Sequence, residues 1–92
     1  MKVKVKFFTT FKELFGTDVK EIELGSGANI QELLNLLCDS RRCHKEIFDH
    51  SGEIRHYVKI LKNGRHIEFL DGIHTELKED DVVAMFPPVA GG

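Results

Sequence analysis

The chain has 92 residues, of which 41% are hydrophobic and 30% are charged. This length is sufficient for one compact core but not for two. Its 13 basic and 15 acidic residues give a formal net charge of −2, which argues against a nucleic-acid binder that works through bulk positive charge.

The chain begins with the clearest predicted strand. Residues 2–7 alternate strictly between lysine and apolar side chains, so that one face carries Val3, Val5 and Phe7 and the other Lys2, Lys4 and Lys6. Continuing the alternation puts Phe8 on the lysine face. A single helical turn over residues 11–16 ends at a glycine. A weaker strand follows over residues 19–24, with Ile22 and Leu24 facing inward, and pairs with the first strand as a hairpin.

An amphipathic helix is predicted next. Its apolar stripe has the spacing i, i+3, i+4 and i+7 and consists of Ile30, Leu33, Leu34 and Leu37. Asn29 is a good N-cap, and Glu32 lies three residues further on, close to a capping-box arrangement. We expect the helix to end near residues 39–40. The polar, His-rich stretch 41–56 is then an irregular or short helical segment anchored by Ile47 and Phe48.

The second half of the chain reads as strands. Residues 57–62 form a third strand, and Asn63-Gly64 is a strong signal for a hairpin turn because both residues tolerate positive φ. The returning strand covers 65–70, with Ile67 and Phe69 inward. Residues 71–77 then form a turn and a short linker, and 78–81 a charged turn. Residues 82–86 are continuously apolar, which fits an inner strand covered on both faces.

The predicted order is strand, strand, helix, strand, strand, strand. A helix that crosses after the first hairpin lets the last strand lie beside the first in a mixed sheet. We therefore predict an α+β protein with the β-grasp (ubiquitin-like) fold, about five strands and one main crossing helix. Residues 1–86 form the domain, and residues 87–92 form a flexible C-terminal Gly-Gly tail.

The tail carries the strongest chemical signal. Pro87-Pro88 ends the last strand and acts as a stiff spacer, and Val89-Ala90-Gly91-Gly92 then narrows to two residues without Cβ atoms. A thin terminus of this kind can pass through a narrow channel and deliver the α-carboxylate of Gly92 to a buried site. A carboxylate is a poor electrophile, so its chemistry requires activation, typically as an acyl adenylate. A frayed end is the plain alternative, but the position directly after the last β-grasp strand favours function.

These motifs resemble a known family. Residues 5–8 and 11–16 are similar to its opening, residues 63–64 and 70–72, with Thr75 and Leu77, to its middle, and residues 81–92 to its close. Together they resemble the small subunit of molybdopterin synthase, within the ubiquitin-like sulfur carriers (the MoaD/ThiS family). The resemblance covers nearly the whole chain, and its last seven residues are highly specific.

The resemblance implies a carrier rather than an enzyme, with no bound cofactor. An E1-like (MoeB-like) adenylating enzyme would use ATP to activate Gly92, and sulfur transfer would give a thiocarboxylate. The large subunit of molybdopterin synthase (MoaE-like) would then receive the tail and use the sulfur. Gly92 is the reacting residue. The candidate partner-binding residues are Gly91, Ala90, Val89, Pro88, Pro87 and Phe86, together with Phe8, which we expect to form an apolar patch with Phe86.

Two departures from the family pattern keep other pathways open. Asp80-Asp81 stands where a Gly-Asp pair is typical, and residues 41–56 are long for the compact bacterial type. Related carriers serve thiamine synthesis or tRNA thiolation, and the same Gly-Gly end can be conjugated to lysines of target proteins. A β-grasp binding module with a dispensable tail is a third possibility.

The remaining candidates have simpler interpretations. The lysines at positions 2, 4 and 6 could steer an acidic partner, although a solvated strand face explains them as well. We predict no metal site, because the spacing of Cys38, Cys43 and the five histidines matches no ligand motif. No segment is long and apolar enough to span a bilayer, and the N-terminus does not read as a signal peptide. We expect a cytoplasmic protein, without membrane or nucleic-acid partners, whose two cysteines are reduced thiols; one disulfide is conceivable.

Overall fold

Five strands form one mixed sheet in the computed structural model, which describes residues 1–87. The strands are β1 (Lys2–Phe7), β2 (Val19–Glu23), β3 (Lys59–Lys62), β4 (Arg65–His66) and β5 (Val82–Phe86). Their order across the sheet is β2-β1-β5-β3-β4. β1 pairs antiparallel with β2 and parallel with β5, and β5 pairs antiparallel with β3. The predicted neighbourhood of the first and last strands is confirmed.

The sheet buries only one of its faces. Val3, Val5 and Phe7 of β1 are buried while the lysines between them are exposed, as the alternation predicts. β5 lies in the centre of the sheet, and Val83 and Met85 are fully buried. The other side chains of β5 are half-buried. The prediction that this strand is covered on both faces is therefore wrong, because the helices pack against one face only.

Three α-helices within residues 1–87 accompany the sheet: α1 (Thr10–Phe15), α2 (Ile30–Leu37) and α3 (Arg41–Ile47). All four residues of the predicted apolar stripe of α2 are buried. The backbone N–H of Glu32 donates to Asn29 Oδ1 at 3.0 Å, which confirms the predicted N-cap. α2 ends at Leu37, slightly earlier than predicted. None of the helices within residues 1–87 is long and apolar enough to cross a membrane.

Of the two alternatives predicted for residues 41–56, an irregular or a short helical segment, the structure shows a short helix over Arg41–Ile47. Ser40 is the N-cap of α3, because its Oγ accepts from the backbone N–H of Cys43 at 3.1 Å. Ile47 and Phe48 are buried, as predicted. The expectation of reduced thiols is wrong here, since Cys38 and Cys43 form a disulfide with a Cα–Cα distance of 5.2 Å. The end of α2 and the first turn of α3 bring both buried cysteines within bonding range.

The hairpin after β3 departs from the predicted pattern. Asn63 and Gly64 have φ angles of 50° and 85°, as the predicted turn requires. The returning strand is only two residues long, because residues Ile67–Phe69 coil into a 3-10 helix. His66 starts this helix by accepting the backbone N–H of Glu68 on its Nδ1 at 3.1 Å. Ile67 is buried, but Phe69 is 82% exposed, so its predicted inward position is wrong.

Candidate functional site

The predicted tail follows β5, the strand at the centre of the sheet, in the sequence. β5 ends at Phe86, as predicted, and Pro87 directly after it is buried. Pro88, Val89, Ala90, Gly91 and Gly92 lie outside the residues that the structure describes. Their proposed roles, including the reacting carboxylate of Gly92, stay predictions.

The structure brings together the two candidate docking residues that precede the tail. The backbone N–H of Phe8 donates to the carbonyl oxygen of Met85 at 3.2 Å, which extends the parallel pairing of β1 and β5 by one residue. The side chain of Phe8 consequently lies beside that of Phe86. Their rings are stacked, with centroids 4.4 Å apart and planes at 10°. Both side chains are half-buried, so the pair presents an accessible apolar surface at the base of the tail.

Lysine side chains surround the pair of Phe8 and Phe86, and they differ in the residues that face them across the strands. Lys59 of β3 lies opposite Phe86, and Lys6 of β1 lies beside Ala84. Across β2, Lys2 and Lys4 face Glu23 and Glu21, whereas Lys6 faces Val19. Cross-strand carboxylates offset part of the charge of the first two lysines. Lys6 and Lys59, which flank the aromatic pair, face no carboxylate directly across the paired strands of the described residues.

A buried carboxylate that the sequence patterns did not single out fixes the start of β5. Asp81 Oδ1 accepts from Asn63 Nδ2 at 2.9 Å, and its Oδ2 accepts from the backbone N–H of Lys78 at 2.8 Å. Lys62 Nζ is 3.7 Å from the same Oδ2. Asn63 Oδ1 in turn accepts from the backbone N–H of Val82 at 2.9 Å. The Asn-Gly turn thus also fixes the position of the strand that ends at Phe86. The sequence feature that could have indicated this role is an Asp directly before that strand.

The potential metal ligands do not converge within residues 1–87. No group of three or more His, Cys, Asp or Glu side chains in this part of the chain could hold a metal ion. Cys38 and Cys43 are joined to each other. The described residues offer a recognition surface, formed by the aromatic pair and the charges around it.

Comparison with known proteins extends over the whole chain. The model of the ThiS family matches residues 5–92. Small archaeal modifier protein 3 from Haloferax volcanii is 35% identical over 92 residues and is covered completely, as is this chain. A structure assigned as molybdopterin converting factor subunit 1 from Pyrococcus furiosus is 37% identical, with 97% of this chain and 99% of that chain covered and a TM-score of 0.73. The crystal structure of SAMP1 from Haloferax volcanii covers both chains completely with a TM-score of 0.85 and, at 22% identity, shows the shared fold.

Proposed function

The chain belongs to the ThiS family of ubiquitin-like sulfur carriers, and from this we propose that it carries sulfur as a thiocarboxylate at Gly92. Members of this family are small carrier proteins without catalytic machinery of their own, and the enzymes that act on them are separate proteins. The observation that carries the proposal is the family match, which continues through Gly91-Gly92. In this role the chain is a reagent that partner enzymes charge and discharge.

The pathway that we propose is molybdopterin synthesis, with this chain as the small subunit of molybdopterin synthase. Support comes from the 37% identity, over nearly the full length, to the structure assigned as a molybdopterin converting factor subunit. An E1-like (MoeB-like) enzyme would adenylate the carboxylate of Gly92 with ATP. A sulfur donor would displace AMP, and the large subunit (MoaE-like) would take the sulfur. We propose a cytoplasmic location for these steps.

The position of Phe8 and Phe86 supports the proposal that partner enzymes receive the tail. The stacked pair of Phe8 and Phe86 lies at the end of β5, one residue before Pro87. An enzyme that covers this pair holds the point from which the tail departs. Lys6 and Lys59 beside the pair favour an acidic rim on that enzyme.

The test measures the mass of the intact protein after incubation with ATP, the E1-like enzyme of the same organism and a sulfur donor. We expect a gain equal to the exchange of one carboxylate oxygen for sulfur, localised to the C-terminal peptide. A variant lacking Gly92 is the control and should remain unmodified. Failure of the full chain to support ATP–pyrophosphate exchange by that enzyme would overturn the proposal. The mass of the native protein also reports whether Gly92 carries the terminal carboxylate in the cell.

The second candidate function is protein modification through Gly92, favoured by the full-length similarity to small archaeal modifier protein 3. In this case a lysine amine of a target attacks the activated carboxylate and forms an isopeptide bond. Lys78 is the last basic residue of the chain, so trypsin would leave residues 79–92 attached to the target lysine. Detection of this branched peptide in the native host supports modification. If the branched peptide is absent and the thiocarboxylate is found, the result supports a sulfur carrier that does not modify proteins.

A further inference from the structure

A second surface lies on the helix side of the sheet, opposite the aromatic pair. An open groove of about 740 Å³ runs between α2, α3 and the loop over residues 48–55. Its lining includes Arg41, His44, Lys45, Phe48, His50 and Arg55. Three permanently cationic side chains thus meet in one groove of a chain whose net charge is −2. Of the residues proposed for tail delivery, those that the structure describes, Phe8, Phe86 and Pro87, do not line it.

The cations of this groove are held on a fixed framework. Arg55 Nε donates to the carbonyl oxygen of Lys45 at 2.7 Å, which ties the loop to α3 and leaves the end of the guanidinium for a ligand. The backbone N–H of Arg55 donates to the carbonyl oxygen of Ile47 at 2.8 Å. The disulfide between Cys38 and Cys43 joins α3 to the end of α2. A ligand therefore meets side chains whose backbone is already ordered, which lowers the entropic cost of binding.

Two ring-bearing side chains, His44 and Phe48, lie in the lining of the groove. The ring of His44 lies 5.4 Å from the buried ring of Phe48. Asp49 is the acidic side chain in the lining. Its Oδ1 accepts from the hydroxyl of Ser51 at 2.6 Å and from the backbone N–H groups of Ser51 and Glu53. This carboxylate is committed to its own loop, so the arginines and the lysine remain available to an external anion.

We propose that this groove binds an acidic segment of a partner protein, with an apolar side chain of that segment against His44 and Phe48. The charge of the groove is complementary to carboxylates. Exposed carboxylates at Glu32, Glu46 and Glu53 adjoin lining residues in the chain. The positive charge is therefore limited to the three cationic side chains of the groove, which favours a short acidic segment over a long polyanion such as RNA. Because groove and aromatic pair are on opposite sides of the sheet, a partner bound here leaves the tail accessible to its enzymes.

The experiment titrates the full chain with a fluorescently labelled peptide of alternating glutamate and leucine while amide signals are recorded by NMR. We expect the shifts to concentrate in residues 41–55 and binding to weaken as salt is raised. Replacing Arg41 and Lys45 by alanine should raise Kd about threefold to tenfold, the range for losing two exposed charge contacts. The matched control replaces Lys2 and Lys4 by alanine, which removes the same charge from the opposite face and should leave Kd unchanged.

Four results would overturn the proposal. Equal weakening by the control pair would mean that the peptide responds to net charge and not to the groove. Shifts confined to residues 2–8 and 82–86 would place the acidic segment on the sheet face. Tighter binding of a single-stranded oligouridylate to the same residues would assign the groove to RNA. A peptide with glutamine in place of glutamate should not bind, and its binding would exclude charge as the basis of recognition.

Discussion

Asp80 has a φ of 66°, in the left-handed region, at the turn that precedes β5. Its backbone N–H donates to the carbonyl oxygen of Lys2 at 2.9 Å, so the turn also holds the start of β1. This conformation explains why glycine is typical at the position in the resembled family: a residue without Cβ adopts it without strain. Asp tolerates it better than most residues but not without cost.

Asp80→Gly should therefore stabilise the protein. Relief of the left-handed strain outweighs the extra flexibility of glycine in the unfolded chain, and we expect the free energy of unfolding to rise by about 0.5 kcal/mol. Asp80→Ala is the matched control and should lower it by about 1 kcal/mol, because alanine lacks the local hydrogen bonding of Asp. Urea unfolding measures both. A stabilising alanine would show that φ is not the relevant property.

Asp49 shows how one loop sets the charge of a carboxyl group. The hydroxyl of Ser51 is the main cause that lowers the pKa of Asp49 below its ordinary value of 3.8, and the backbone N–H of Glu53 adds to the effect. The pKa of Asp49 is lower in the folded chain than in the unfolded chain. The stabilisation of the folded chain by the hydrogen bonds to this carboxylate is therefore fully present above the unfolded pKa. It is lost as pH falls through the folded pKa.

Ser51→Ala should raise the pKa of Asp49 towards 3.8, since the largest cause of the shift is removed while the backbone donors remain. A carbon-detected NMR titration of the Asp49 carboxyl group measures this directly. Ser26→Ala, in a different turn, is the control and should not move it. An unchanged pKa in Ser51→Ala would mean that the backbone donors alone hold the carboxylate.

Apolar periodicity predicted the helices and strands whose conformation depends on packing against the core. It failed for the segments whose conformation depends on a hydrogen bond from a nearby side chain. β1 and α2 were predictable because their apolar spacing matches the face that they bury. The continuous apolar run of β5 predicted its bounds but not that its second face is only half-buried. Residues 65–70 alternate as a strand does, yet the side chain of His66 caps a 3-10 helix and turns Phe69 outward. In the same way, the capping role of Ser40 carries no apolar period, so the sequence left open whether residues 41–56 form an irregular or a short helical segment. The positions of Phe8 and Phe86 were predictable because they follow from strand order and alternation.

The disulfide between α2 and α3 should contribute measurably to stability. Cys38 and Cys43 are five residues apart, and closing so short a loop stabilises by roughly 2 kcal/mol in the chain-entropy account. We expect a reducing agent to lower the free energy of unfolding by about this amount. The Cys38→Ser variant should show the same loss and no further response to the reductant. Equal stability in both redox states would mean that buried thiols pack as well as the disulfide.

The stacked rings of Phe8 and Phe86 should be energetically coupled. Pairs with this geometry are worth about 0.5–1.5 kcal/mol beyond their area burial, so alanine at both positions should cost less than the sum of the single losses. Phe69→Ala is a control for removing a ring, and because that ring is 82% exposed it should change stability by less than about 0.5 kcal/mol. Equilibrium unfolding of the four members of the cycle measures the coupling. Strict additivity would show that the rings do not stabilise each other in solution.

In the molecule as a whole, the residues that stabilise the fold and the residue at which the proposed reaction takes place lie in separate parts of the chain. The core cluster runs from Val3 to Met85 and draws on the sheet, α2 and α3. The proposed reaction takes place at Gly92. The described residues hold the base of the tail and provide two recognition surfaces, one on each side of the sheet. Core substitutions should therefore act on stability and tail substitutions on activation, with little exchange between the two.

Deleting Gly92 should abolish adenylation by the E1-like enzyme and leave the melting temperature within about 1 °C of the parent value, because no core residue is altered. Met85→Ala is the opposite case. This side chain is fully buried, so its truncation should cost about 2–5 kcal/mol of stability. Below its lowered melting temperature, however, the variant still presents Gly92 and should support ATP–pyrophosphate exchange. If deletion of Gly92 instead lowered the melting temperature by several degrees, the tail would be part of the fold, and the separation of carrier domain and reacting end would be wrong.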